Sequence, residues 1–246
     1  MERPRIASRS EWLAARKELL TLEKAATRER DALAAARRTL PMVPLETTYV
    51  FDGPEGPVSL RDLFGDRSQL IVYHFMFDPA WDEGCKSCSF LADSIAGSLV
   101  HLPARETAFA AISRAPIAKL EAFKNRMGWT FRWVSSHDSG FNTDFSVTVD
   151  VDAVEGSGEY NYQPARTQFE ARRIWSPRGE LPGLSVFLRD GDTIFHTYST
   201  YQRGLDAFLN TYNLLDVTPL GRQEEDGRIM AWIKHHDRYT TTGGRQ

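Results

Sequence analysis

Cysteine is almost missing from this chain: two residues of 246, Cys85 and Cys88. That scarcity excludes a framework of several disulfides and a four-thiolate zinc site. Long hydrophobic runs are missing as well. No stretch of eighteen or more apolar residues occurs, so an apolar membrane-spanning helix is excluded. Positive charge is not in excess, with 30 Lys and Arg against 33 Asp and Glu and a formal net charge of -3. A nucleic-acid footprint would show the opposite balance, so neither nucleic acid nor membrane is an expected partner. The opening Met1-Glu2-Arg3-Pro4-Arg5-Ile6 lacks the apolar core of a secretory leader, and a cytoplasmic location is the expectation. No internal repeat or low-complexity segment interrupts the chain. What remains is ordinary for a globular protein: 41% hydrophobic and 26% charged residues, at a length that can bury a sizeable core.

The two cysteines stand in Gly84-Cys85-Lys86-Ser87-Cys88, directly after the apolar run Leu70-Ile71-Val72-Tyr73-His74-Phe75-Met76-Phe77. A Cys-x-x-Cys at a strand-to-helix junction suits a dithiol redox centre. The first sulfur lies at a helix N-terminus, where free N–H groups and the helix dipole favour a thiolate. The second lies one turn later, within reach to close a disulfide. In a reducing compartment such a pair is catalytic more often than it is a staple.

Along the chain, residues 10–40 read as one long helix, with Ser10 as N-cap and Glu11 in the first turn. Trp12, Leu19, Ala26, Leu33 and Leu40 recur at heptad spacing, with Ala15, Leu22 and Ala36 between them and Glu29 breaking the seam. Such a stripe packs along another helix, which points to a homodimer through this arm, or it lies across its own domain. From Pro41 the pattern changes. Strands are expected at 47–51, 58–60, 70–77, 107–112 and 129–135, and helices at 87–100 and 116–127, with Gly128 as the stop of the second. Strand, helix, strand, helix implies parallel pairing through crossovers. Residues 136–180 are rich in Gly, Asp, Asn, Tyr and Arg, show no sustained apolar period, and read as an insertion. A hairpin follows at 184–188 and 193–198 around Asp190-Gly191, then a helix at 204–215. The expected organisation is a helical arm at 1–44, an α/β domain at 45–218 and a C-terminal extension at 219–246.

This succession resembles the thioredoxin arrangement, with a mixed central sheet flanked by helices. Phe51-Asp52-Gly53 with Val58-Ser59-Leu60, and Phe131-Arg132-Trp133-Val134-Ser135, look like the leading hairpin and extra strand of the peroxiredoxin-like branch. A more specific likeness spans nearly the whole chain. Gln69-Leu70-Ile71-Val72-Tyr73-His74-Phe75-Met76, Ser113-Arg114-Ala115-Pro116, Arg126-Met127-Gly128-Trp129, Phe141-Asn142-Thr143-Asp144-Phe145 and His235-His236-Asp237-Arg238-Tyr239 resemble a bacterial thioredoxin-like family of unassigned function. The resemblance implies the fold, and a dithiol–disulfide activity by analogy. Two departures stand out. Thioredoxins carry a cis-proline just before the hairpin strand, where this chain has Pro182-Gly183. Peroxiredoxins place a Pro and a Thr ahead of the peroxidatic cysteine, whereas this loop reads Pro79-Ala80-Trp81-Asp82-Glu83-Gly84-Cys85, without the Thr.

On this reading Cys85 attacks and Cys88 resolves, against the plain alternative of a buried reduced pair without turnover. Lys86 next door favours a thiolate, and Asp82 and Glu83 oppose it if they face the sulfur. Arg114, after the strand beside the cysteine strand, is a candidate to hold a thiolate or an anionic substrate, or else makes a surface ion pair. Trp81 is a candidate lip over the sulfurs, or plain packing. No cofactor is called for. Two functions stand. The first is a thiol–disulfide oxidoreductase acting on a protein or small-molecule disulfide, recharged by a cellular thiol reductant, with peroxide reduction open to the same dithiol. The second is a non-enzymatic copper or zinc carrier, or a thiol-based interaction module, in which the cysteines combine with His74, His196 or the His235-His236 pair.

Overall fold

The computed structural model describes residues 3–153, 158–224 and 228–240. Helix α1 runs Arg9–Arg38, and its cap is Ser8 rather than the expected Ser10. The Glu11 N–H donates to the Ser8 hydroxyl (3.3 Å) and the Ser8 N–H donates to the Glu11 carboxylate (2.8 Å). This reciprocal box needs a Ser three residues before a Glu, and Ser8 meets that spacing. None of the helix's residues is buried. Its heptad stripe therefore does not lie across its own domain: Trp12, Leu19, Leu22 and Leu33 are exposed. Near its C-terminal end the Arg37 guanidinium sits over the Tyr198 ring at 5.3 Å.

Beyond the arm the chain builds a mixed sheet. Strand β1 is Val43–Pro44, β2 Val50–Gly53, β3 Gly56–Ser59 and β4 Gln69–His74. Helix α2 (Lys86–Ala96) leads to β5 (Thr107–Ser113), and α3 (Ile117–Arg126) leads to β6 (Arg132–Ser135). Then come α4 (Phe141–Asp144), β7 (Thr148–Asp150), β8 (Glu159–Tyr160), β9 (Gln163–Pro164), α5 (Ala165–Glu170) and β10 (Arg178–Glu180). The hairpin β11 (Gly183–Asp190) and β12 (Thr193–Tyr201) precedes α6 (Asn210–Leu215). The eight-stranded sheet has the order β1-β12-β11-β4-β5-β6-β2-β3. β4, β5 and β6 pair in parallel, and β11 pairs antiparallel with β4, which is the thioredoxin-like arrangement expected. The leading hairpin β2–β3 joins β6 through Asp52 opposite Ser135. No helix among the described residues is long and apolar enough to cross a membrane.

Strand β4 is apolar nearly throughout because the sheet is covered on both sides. Leu70 and Val72 enter one core with Phe51, Phe64, Phe141 and Phe187, while Tyr73 enters the other with Phe75, Phe123, Trp133 and Cys88. The apolar run outlasts the strand, since Phe75, Met76 and Phe77 continue into the core after β4 has ended. Gly128 takes φ +63 behind α3 and Gly191 φ +56 in the hairpin turn, as their stop and turn roles require. The expected helix at 204–215 is instead two pieces, a 3-10 turn at Gln202–Phe208 and α6, parted by Leu209 at φ -93, ψ 83. The insertion contains its own small core of Val147, Val149, Val151, Tyr160, Ala165, Ile174 and Leu181, closed by Tyr201 of β12.

Candidate functional site

The parallel strand β4 delivers the cysteine loop at its C-terminal end, where an open α/β sheet gathers ligands. The Cys85 N–H donates to the Met76 carbonyl (3.1 Å), folding the loop back onto the end of the strand. Gly84 is needed there: a Cβ would lie 2.7 Å from the Phe75 ring and 2.9 Å from the Phe123 ring. Cys85 is the N-cap of α2, and Cys88 lies one turn into the helix. Both thiols are free, Cys85 half-buried and Cys88 buried.

The two sulfurs are electrostatically unlike. A hydrogen bond from the Cys88 thiol, with support from the Cys88 and Ser87 backbone N–H groups and the Ser87 hydroxyl, outweighs burial and brings the Cys85 pKa down to about 7. Burial, then the neighbouring Cys85, pushes Cys88 up. The Met76 N–H points at the Cys88 sulfur from 3.5 Å. Cys85, at the start of the helix, is thus the more easily ionised of the two sulfurs, and Cys88 the one that holds its proton.

The supporting residues are arranged differently from expectation. The Lys86 ammonium donates to the Ala231 carbonyl (3.3 Å) in the C-terminal extension. The Arg114 guanidinium pairs with the buried carboxylate of Glu180 at 3.2 Å, so its ion pair is with a buried partner rather than at the surface. Burial pushes the Glu180 pKa up against hydrogen bonds from Thr148 and Asn142 and the charge of Arg114. Trp81 packs at the edge of the main core beside the Trp175 ring, 6.2 Å between centroids. Glu83 is engaged by Arg126 and Arg238. Partial burial pushes it up, but hydrogen bonds from Arg126 and Arg238 prevail and hold it below the usual carboxylate range.

The histidines do not assemble a metal site with the cysteines. Among the described residues no three His, Cys, Asp or Glu side chains gather as a ligand set. His74 lies on the opposite face of the sheet from Tyr73, stacked on Phe141, and its Nε2 meets the Ser185 hydroxyl at 2.7 Å. Burial, with His196 nearby, pulls its pKa down to about 3. Its Nδ1 is buried without a partner. Ser185 bonds Ser199 and Ser199 bonds His196, each at 2.7 Å, so both histidines belong to one cross-strand chain. His235 and His236 diverge at a short 3-10 turn, His236–Arg238, with His235 as its cap. His235 Nε2 lies 2.9 Å from the Gly84 carbonyl and His236 Nδ1 lies 2.8 Å from Asp93.

Against Cys88 lies a cavity of about 600 Å³. Tyr73, Cys88 and Leu91 form one wall, Tyr160 and Trp175 of the insertion another, and Met230 of the C-terminal extension a third. Neither the insertion nor the extension announced this role in sequence. A weak signal was available in Trp175, a large aromatic in an otherwise polar stretch.

Comparison with known proteins adds a family and distant structural likenesses. The model of a family described as bacterial protein of unknown function (DUF899) matches residues 1–239. No curated protein matches the chain. Among solved structures, peroxiredoxin Q from Xanthomonas campestris is 14% identical, over 68% of this chain and 90% of its own, at a TM-score of 0.44. Peroxidoxin BcpB from Mycobacterium tuberculosis is 12% identical, over 72% and 97%, at 0.43. A PrxQ of Xylella fastidiosa is 13% identical, over 71% and 94%, also at 0.43. Likeness at this distance assigns neither a substrate nor catalytic residues.

Proposed function

The chain belongs to the DUF899 family of bacterial proteins of unknown function, and from its own site we propose that it is a thiol–disulfide oxidoreductase in which Cys85 attacks and Cys88 resolves. The observation that carries this reading is the N-cap position of Cys85 at the start of α2 with Cys88 one turn on, a placement that fits the lowering of the Cys85 pKa to about 7. A thiolate there is stabilised before any substrate arrives, while Cys88 keeps its proton until it is needed.

The reaction follows from that asymmetry. The Cys85 thiolate attacks one sulfur of a substrate disulfide, the substrate S–S bond breaks, and one half leaves as a thiolate that takes up a proton. Cys88 gives up its proton and attacks the Cys85 sulfur, expelling the second half as a thiol. The protein ends two electrons oxidised and the substrate two electrons reduced. A cellular thiol reductant reverses the exchange. Peroxide is a second electrophile for the same thiolate: O–O cleavage leaves a sulfenic acid on Cys85 and expels the other oxygen, protonated, as water or an alcohol, and the Cys88 thiol then condenses with the sulfenic acid to form the disulfide and release water.

Equilibration in glutathione buffers, with thiol trapping and mass spectrometry, tests the pair. The expected result is a reversible two-electron couple at roughly -270 to -200 mV, the range between thioredoxin and the glutaredoxins. Cys88→Ser should accumulate the mixed disulfide, and Cys85→Ser should form none. Alkylation of Cys85 by iodoacetamide should rise with pH and reach half its maximum near pH 7, where its thiolate is half formed. A pair that forms no disulfide at any poise would end the reading.

A further inference from the structure

The cavity lined by Cys88, the helical partner of Cys85, is larger than exchange between small thiols requires. At about 600 Å³ it has the size of a site for a whole organic ligand. Its walls are mostly carbon: Met76 and Leu91 next to Cys88, Ile174 and Trp175 from the insertion, Leu205 and Leu209 from the segment after β12. Apolar surface entering such a site gains about 25 cal/mol per Å² removed from water. The charge of the lining is also uneven, with two arginines, Arg173 and Arg203, against the single acid Asp206. Arg203 already donates to Asp206 at 2.6 Å. Arg173 donates to the uncharged side-chain amide of Gln163 at 3.3 Å, so its guanidinium is available to a carboxylate.

We propose that this cavity binds an aliphatic disulfide bearing a carboxylate, with the chain on the apolar walls, the carboxylate on Arg173 and the S–S bond at the Cys85–Cys88 end. This names the substrate class of the dithiol reading above and rests on it. Lipoic acid has this chemistry and serves as the probe. Attack by the Cys85 thiolate opens its S–S bond to a mixed disulfide, and Cys88 then attacks Cys85 and releases dihydrolipoic acid. Two electrons and two protons pass from the protein dithiol to the probe.

The test compares oxidation rates of the reduced protein by lipoic acid, by its neutral amide and by 2-hydroxyethyl disulfide. Each rate is divided by that disulfide's rate with free glutathione, so that the reactivity of the strained ring cancels. Lipoic acid should then be favoured over 2-hydroxyethyl disulfide by at least about tenfold, and Arg173→Gln should remove about tenfold for the acid, leaving the amide and the small disulfide unchanged. Octanoate, which has the chain and the carboxylate but no sulfur, provides a reading independent of redox chemistry. Calorimetry should show it binding the protein and binding Arg173→Gln about tenfold more weakly. Equal normalised rates, with octanoate binding absent or indifferent to Arg173, overturn the ligand site and leave the dithiol chemistry standing. Octanoate binding that depends on Arg173, with no disulfide reacting, supports the ligand site and removes the dithiol reading instead.

Discussion

Helix α1 is a 30-residue helix that buries none of its residues, whereas the described residues between β6 and β11 make no element longer than 6 residues and still bury Phe141, Val147, Tyr160 and Ala165. The helix is complete in itself. Its cap is supplied by Ser8 and Glu11, and Arg37 and Arg38 in its last turn complement the dipole. The insertion is the reverse. The Tyr160 hydroxyl donates to the Pro182 carbonyl (2.8 Å), Tyr162 to the Ser199 carbonyl (2.8 Å), and Tyr201 closes the small core from β12. Several of its side chains thus find partners on the hairpin, far along the chain. Regular structure and burial are separate properties, and here they sit in different parts of the chain.

The sharpest way to break this contrast is to truncate a side chain in the insertion. Tyr160→Ala removes a fully buried ring and its hydrogen bond, and urea unfolding should show a loss of about 3–5 kcal/mol. A loss below about 1 kcal/mol would mean that the insertion's core is dispensable to the fold.

Acid should produce the next largest effect, through His74, which is stacked against Phe141 and Phe145 of the same insertion. Its folded pKa of about 3 lies below the ordinary 6.5, so between those values the unfolded chain binds the proton and the folded protein does not. Stability on this account falls as pH drops below 6.5 and stops falling near 3. The loss by pH 4 should be on the order of 3 kcal/mol, at about 1.4 kcal/mol per pKa unit. Glu180, raised by burial, acts in the opposite sense over the carboxylate range. Comparing unfolding of the protein with that of His74→Gln from pH 7 to pH 4 therefore isolates the histidine, and equal slopes would refute its part.

The smallest effects belong to the arm. Leu22→Ala and Leu33→Ala each remove an exposed side chain, and unfolding of the protein should change by less than about 0.5 kcal/mol. A larger loss that grows with protein concentration would show the stripe buried in an assembly, and would erase the contrast with the insertion.

Much of the α/β frame was legible because its signals are local. The apolar run 70–77, Gly128 after α3 and Asp190-Gly191 between β11 and β12 each carry their own punctuation, and the elements form at or close to those positions. The cap of α1 was misplaced because Ser8 and Ser10 are equally good in isolation, and only the spacing to Glu11 separates them. At the site, the Cys85–Cys88 pair and its strand-to-helix setting could be read directly. The partners of Arg114 and Lys86 could not, because Glu180 and Ala231 lie far along the chain and nothing in the local pattern links them.

The sequence by itself determined the α/β order, the long N-terminal helix and a dithiol at a helix start, since each depends on residues within a turn or two of one another. Tertiary structure decided which sulfur is buried, where the charges beside the cysteine loop are neutralised, and that an insertion without periodicity walls a cavity next to Cys88. Those outcomes depend on desolvation and on contacts between distant segments, and both arise only when the sheet, the insertion and the C-terminal extension close on one another.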